Sequence, residues 1–172
     1  ELCARQALAS LDALLAARPG TTAVVLVEPG LTGAMHPTFP LTPPQVRSLL
    51  DPVVAALDDA APPGRLLVGV HVPGRTDWAT IVGTGISLLS APADAGLVGW
   101  AEPLRALLEA GGRVAWGAVP VDRPLGTGEL RLWRSLATVW GQLAAAGVDP
   151  VLVRDRSLLS PADGLAHFGA SQ

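Results

Sequence analysis

Lysine, asparagine and tyrosine are missing from the 172 residues altogether, and all twelve basic residues are arginine. Without lysine there is no Schiff-base nucleophile, no anchor for pyridoxal phosphate and no P-loop lysine, so several enzyme classes fall away at once. The single cysteine, Cys3, excludes an internal disulfide framework and fits a reducing, cytoplasmic setting. Charge is sparse as well. Only 16% of residues are charged, the net charge is −3, and the arginines are scattered rather than gathered into the basic stripe that nucleic-acid binding requires. No run of about 18 apolar residues is present, and no charged-then-apolar signal segment opens the chain. Nucleic acid and membrane are therefore not expected partners. The missing residue types, set against abundant alanine, read as GC-rich coding of a bacterial kind.

Hydrophobic residues make up 49% of the chain and the mean hydropathy is +0.41, enough apolar surface for a sizeable core in one globular domain over residues 1–172. The chain opens at Glu1 without a methionine, directly in a helical pattern, as an excised or processed segment would. Leu2, Leu8, Leu11, Leu14 and Leu15 share one helical face, closed by Pro19-Gly20. Strands are expected at Thr21 to Val27, Arg65 to Val70, Ile86 to Leu89, Val114 to Val119 and Val151 to Val153. Helices are expected between them. Thr42-Pro43-Pro44-Gln45 supplies a capping box ahead of Val46, Leu49, Leu50, Val53, Val54 and Leu57. Asp77 to Val82 reads as a short helix, Leu97 to Ala110 as one ending at Gly111-Gly112, and Glu129 to Ala145 as one ending at Gly147. Continuous apolar strands alternating with helices imply an α/β fold with a parallel sheet covered on both faces. About five strands could be part of a TIM-type (β/α)8 barrel or a complete flavodoxin-like doubly wound sheet, and periodicity does not separate the two.

Motifs carry the next step. Gly83-Thr84-Gly85 and Gly126-Thr127-Gly128 suggest phosphate loops, but neither runs from a strand through G-x-G-x-x-G into a helix, so no bound cofactor is expected there. No G-x-S-x-G elbow is present, and Cys3 opens a helix, so a hydrolase has no support. The polar residues at carboxyl ends of strands are the better candidates, since both barrels and open sheets place their chemistry there. They are Glu28, His71, Ser90, Asp122 and the segment Ser160 to Gly164, with His36 on the loop from Gly30 to Leu41 that could fold over them. Each also has a plain structural reading. Glu28 before Pro29 can solvate a loop, His71 can be a satisfied strand-end histidine, and Ser160-x-x-Asp163 with Pro161 can cap a terminal helix. Trp78, Trp100, Trp116, Trp133 and Trp140 read as packing whose indole N–H groups need partners.

In the order they occur, several of these segments resemble the cobalamin-independent methionine synthase family. Val25-Leu26-Val27-Glu28-Pro29-Gly30-Leu31 is similar to its strand-end motif Asp-Glu-Pro-x-Leu, with Val27 where the family has a substrate-binding Asp. Val68-Gly69-Val70-His71-Val72-Pro73 resembles its strand ending in His-x-Cys, with Pro73 at the cysteine. The segment Gly111 to Pro120 is similar to the strand before its last βα unit, and Leu159 to Leu165 resembles its closing proline-x-Cys-Gly-Leu, with Asp163 at the cysteine. The resemblance covers nearly the whole chain and places it on strands four to eight of a catalytic barrel.

In that family zinc holds and activates the homocysteine thiolate. Here both cysteines are replaced and Ser90 or Leu89 lies near a third ligand position, so His71 is a vestigial ligand and zinc is not expected. The resemblance thus implies a degenerate relative or fragment that has lost zinc-dependent methyl transfer and keeps a pocket for a small-molecule ligand around Glu28, His71, Ser90 and Asp163. Two alternatives stay open. One is an active methyltransferase in methionine biosynthesis once a missing N-terminal half completes it, and the other is an assembly module that pairs its open strand edges with a second copy or another chain.

Overall fold

The structure, a computed structural model, describes residues 8–9, 11, 13, 15–17, 20, 22–34, 38, 41–121 and 128–163. Residues 8–9, 11, 13 and 15–17 are helical, and Leu11 is fully buried; Leu2 and Leu14 of the expected stripe lie outside the described residues. The chain then alternates β1 (Thr22–Val27), α1 (Pro43–Asp58), β2 (Leu66–His71), α2 (Trp78–Val82) and β3 (Leu88–Pro92). It continues through α3 (Ala101–Glu109), β4 (Arg113–Val119), α4 (Glu129–Ala145), α5 (Pro150–Asp155) and β5 (Ser157–Pro161). A 3-10 turn, Leu97–Trp100, leads into α3 and occupies the first part of the helix expected from Leu97.

Local signals explain most of these boundaries. At the start of α1 the Thr42 N–H and hydroxyl both donate to Gln45 Oε1, at 2.8 and 2.9 Å, as the capping-box spacing predicts. Its buried stripe is Val46, Leu50, Val54 and Leu57, so the helix turns one apolar face inward and leaves Leu49 exposed. Gly111 and Gly147 follow α3 and α4 with φ of 97° and 91°, a left-handed conformation that L side chains resist, and so end both helices where expected.

All four strand pairings are parallel, and the spatial order is β1-β2-β3-β4-β5. That order departs from the 2-1-3-4-5 order of a flavodoxin-like sheet, because among the described residues no strand returns to the far side of β1. Sequential right-handed crossovers place the helices on one side of the sheet. Val68, Val70, Leu89, Ala91, Val114 and Trp116 face that side and form the core with Leu57, Ile81, Leu104 and Leu143.

Two expectations are corrected. The fifth strand is Ser157–Pro161, not Val151 to Val153, which lies in α5. Asp149 caps that helix through Val151 N–H at 2.8 Å, and Pro150 occupies its first turn, so start signals outweigh a short β-branched run. The sheet is also not covered on both faces throughout. Ala23, Val25 and Val27 of β1 alternate outward, with Val27 57% exposed, and Leu158 and Leu159 of β5 are exposed too. Only the middle strands are closed over on both sides, β3 being buried at every position.

Candidate functional site

Registry brings the strand-end residues together. Val27 pairs with His71 and His71 with Ser90, while Ser90 pairs with Ala115 and Ala115 with Leu158. Because side chains alternate across a strand, this row lies on one face of the sheet, opposite the helix-packed core. One step farther along, Gly117 pairs with Pro92 on one side and Ser160 on the other.

His71 is 6% exposed and its Nδ1 lies 2.9 Å from Ser90 Oγ, a buried hydrogen bond between neighbouring strands. The other ring nitrogen, Nε2, is buried without a hydrogen-bond partner among the described residues and sits 3.9 Å from Asp163 Oδ1. Burial lowers the pKa of His71 below the ordinary histidine value, and the Asp163 charge opposes that shift in part. The imidazole is therefore neutral near pH 7. Glu28 joins the group through its backbone, its N–H donating to His71 O at 2.9 Å, and its carboxyl pKa is raised by burial. Ser160 Oγ is buried with no hydrogen-bond partner among the described residues.

Asp163 lines a cavity of about 480 Å³ at this carboxyl end of the sheet, together with Pro73, Pro92, Gly117, Ala162 and Asp94. That volume falls within the range of small-molecule pockets. The sequence reading thus brings His71, Ser90 and Asp163 together. It missed Asp94, two residues past the end of β3, and Ser135 on α4, both of which line the cavity. The strand-end rule that selected Ser90 could have found Asp94.

The helix-cap reading of Asp163 is overturned, because Ser160 and Pro161 are strand residues of β5 rather than an N-cap and first helical turn. Gly83 and Gly85 occupy the turn entering β3, at the opposite end of the sheet from His71. Cys3, His36, Asp122, the Gly126-Thr127 pair and Gly164 lie outside the described residues. Of the indoles, Trp78 Nε1 donates to Ala95 O at 3.2 Å and Trp116 Nε1 to Ser157 Oγ at 2.7 Å. Trp133 and Trp140 meet edge to face with ring centroids 5.6 Å apart.

The donors here do not fit a thiolate zinc centre. Pro73 offers no ligand atom, Asp163 is a hard oxygen donor, and no group of three or more His, Cys, Asp or Glu is placed to hold a metal among the described residues.

His71 also gives a pH dependence. Its folded-state pKa is lowered, so between that value and the unfolded one near 6.5 the unfolded chain binds the extra proton and stability rises with pH. The contribution is fully present above about pH 6.5 and is lost as the pH falls through the folded-state pKa. Chemical denaturation of wild type and His71→Gln from about pH 5 to 8 should give a difference curve that climbs toward neutral pH. A flat or falling difference would contradict a buried neutral imidazole.

The fold and site together define a parallel α/β chain with a cavity at the carboxyl ends of its strands, and Asp163, which lines that cavity, lies beside the buried His71. No protein-family model, no curated protein and no solved structure matches the chain significantly. Among the described residues no helix is long and apolar enough to cross a membrane.

Proposed function

We propose that the chain is a degenerate relative or fragment of the cobalamin-independent methionine synthase family, corresponding to strands four to eight of its (β/α)8 barrel. On this reading it binds a small molecule at the carboxyl ends of its strands and has lost zinc-dependent methyl transfer to homocysteine. One observation carries the proposal. Pro73 and Asp163, far apart in sequence and each standing where the family has a cysteine, line the same cavity, and Asp163 lies beside His71, at the family's histidine. The resemblance requires those three positions to converge, and their convergence supports it. The sequential parallel strand order supports the barrel part of the reading, since it is the order of an arc of a barrel.

The chemistry follows from the replacements. Zinc lowers a thiol's pKa and holds the thiolate only when soft ligands retain the metal. Proline removes one such ligand and a carboxylate replaces the other, leaving a cavity that can bind but lacks the electrophile.

Elemental analysis of the purified chain after dialysis, followed by zinc titration of wild type and His71→Ala, tests this. The expected result is substoichiometric metal and weak uptake that the substitution leaves unchanged. Tight stoichiometric zinc that disappears in His71→Ala would overturn the reading.

A further inference from the structure

We propose that the outer face of α4 binds the same face of a second copy of the chain, giving a two-fold dimer of antiparallel helices. This face is separate from the strand-end cavity and from the strand edges. Helix α4 carries more apolar surface than the core takes up. Leu136 and Leu143 belong to the core, with Val139 and Trp140 packed against it. Leu130, Trp133, Ala137, Gly141 and Ala144 form a second stripe, roughly 100° farther round the helix at its turn of about 100° per residue. A surface helix ordinarily needs only the first. In the second stripe Leu130 is 69% exposed and Trp133 52% exposed, although Trp133 already meets Trp140 edge to face. A tryptophan held against its own helix with half its surface open is the kind of side chain that anchors interfaces.

Gly141 supplies an independent pointer. It lies inside a 17-residue helix, where glycine is less stable than alanine. Nothing within the chain calls for it, since its φ is not positive and a Cβ there would meet nothing within 4 Å among the described residues. A close approach from outside the chain accounts for the missing side chain. The order of sizes then names the occupant. Large residues fill the first half of the stripe and small ones the second, and the two halves mirror each other about Ala137. Trp133 and Gly141 lie four residues to either side of it, and Leu130 and Ala144 seven. Two copies paired antiparallel about Ala137 therefore set Trp133 of each level with Gly141 of the other, and Leu130 level with Ala144. Alternation of large against small lets facing helices interdigitate. A two-fold interface requires a patch that is complementary to itself, and this one is. The stripe has no charged residue, so apposing it with itself brings no like charges together within it.

Analytical ultracentrifugation of the purified chain from about 5 to 500 µM tests this, a range suited to a small interface. The expected result is a monomer–dimer equilibrium, the mass rising from 17.6 kDa toward twice that value. Trp133→Ser removes the anchor and Gly141→Leu fills the space that receives it, so each should weaken the dimer at least tenfold. Both positions are exposed, so the variants should stay folded, which circular dichroism checks. Arg131→Gln, on the polar face of α4, should leave association unchanged. Gly141→Ala should stabilise the monomer against urea while weakening the dimer, a divergence that a purely structural glycine would not give. Orientation is read by cross-linking in a Cys3→Ser background, which removes the only native thiol. Ala137→Cys meets its own copy at the two-fold axis and should be oxidised to a disulfide-linked dimer by oxidised glutathione, whereas Thr138→Cys should not. A monomer throughout the concentration range, wild-type association in both Trp133→Ser and Gly141→Leu, or cross-linking as ready at Thr138→Cys as at Ala137→Cys would overturn the proposal.

Discussion

Trp116→Ala is expected to lower the unfolding free energy by about 3–5 kcal/mol, the usual range for deleting a buried large aromatic. Trp116 lies in the middle of β4, 1% exposed, on the face that packs into the core. Its indole N–H donates to Ser157 Oγ at 2.7 Å, so the same side chain fills the core and ties β4 to the first residue of β5. Truncation therefore leaves a cavity and removes the hydrogen bond that Ser157 Oγ accepts, while its own donation to Val153 O remains. Because β5 is the last strand of the described sheet and pairs there with β4, the loss should also loosen Ser160 and Asp163 at its far end. Trp116→Phe keeps most of the volume and loses only the hydrogen bond, with an expected cost of about 1–2 kcal/mol. Urea denaturation followed by circular dichroism checks both. A loss below about 1 kcal/mol for the alanine variant would mean that the indole is not part of a packed core.

The fold class was legible because its signals were local and repeated. Four of the five strands and the helix Glu129–Ala145 follow from apolar runs bounded by proline and glycine. The end of the chain was misread because two signals there each have two meanings. Val151 to Val153 satisfies both a short buried strand and a helical turn, and the Asp149 cap decides for the helix. Ser160-Pro161 satisfies both a helix start and the end of an edge strand, where a proline's missing N–H is tolerated, and pairing with β4 decides for the strand.

The openness of β1 could not be read at all, because Ala23, Val25 and Val27 are as apolar as their half-buried neighbours Val24 and Leu26. Their exposure is set by what packs on each face of the sheet, which is a tertiary fact. At the site, the strand-end rule selected His71 and Ser90 from sequence, but their hydrogen bond depends on the register of β2 against β3, which no local pattern encodes. Asp163 belongs to the strand-end segment Ser160 to Gly164 and is singled out by the resemblance, and its approach to His71 depends on the strand position of β5, where the local pattern also fits a helix cap.

Gly117→Val should destabilise the chain by about 1–3 kcal/mol, in the range of overpacking a filled interior, and distort the strand-end cavity. A Cβ at Gly117 would lie 2.8 Å from Ala162 Cα, 3.0 Å from Pro92 Cα and 3.1 Å from Ala91 O. All three are backbone atoms, so no rotamer change relieves the contact, and either β3 or the chain leaving β5 must move. Gly117, Pro92 and Ala162 line the cavity, and the displaced segment carries Asp163, so the strain is delivered where His71 and Asp163 face each other. Gly99→Ala is the matched control, since a Cβ there meets nothing within 4 Å, and it should change stability by no more than about 0.5 kcal/mol. Urea denaturation of both variants measures the effect. If Gly117→Val matched wild type in stability, the close approach of β3, β4 and the segment after β5 could not be what shapes the site.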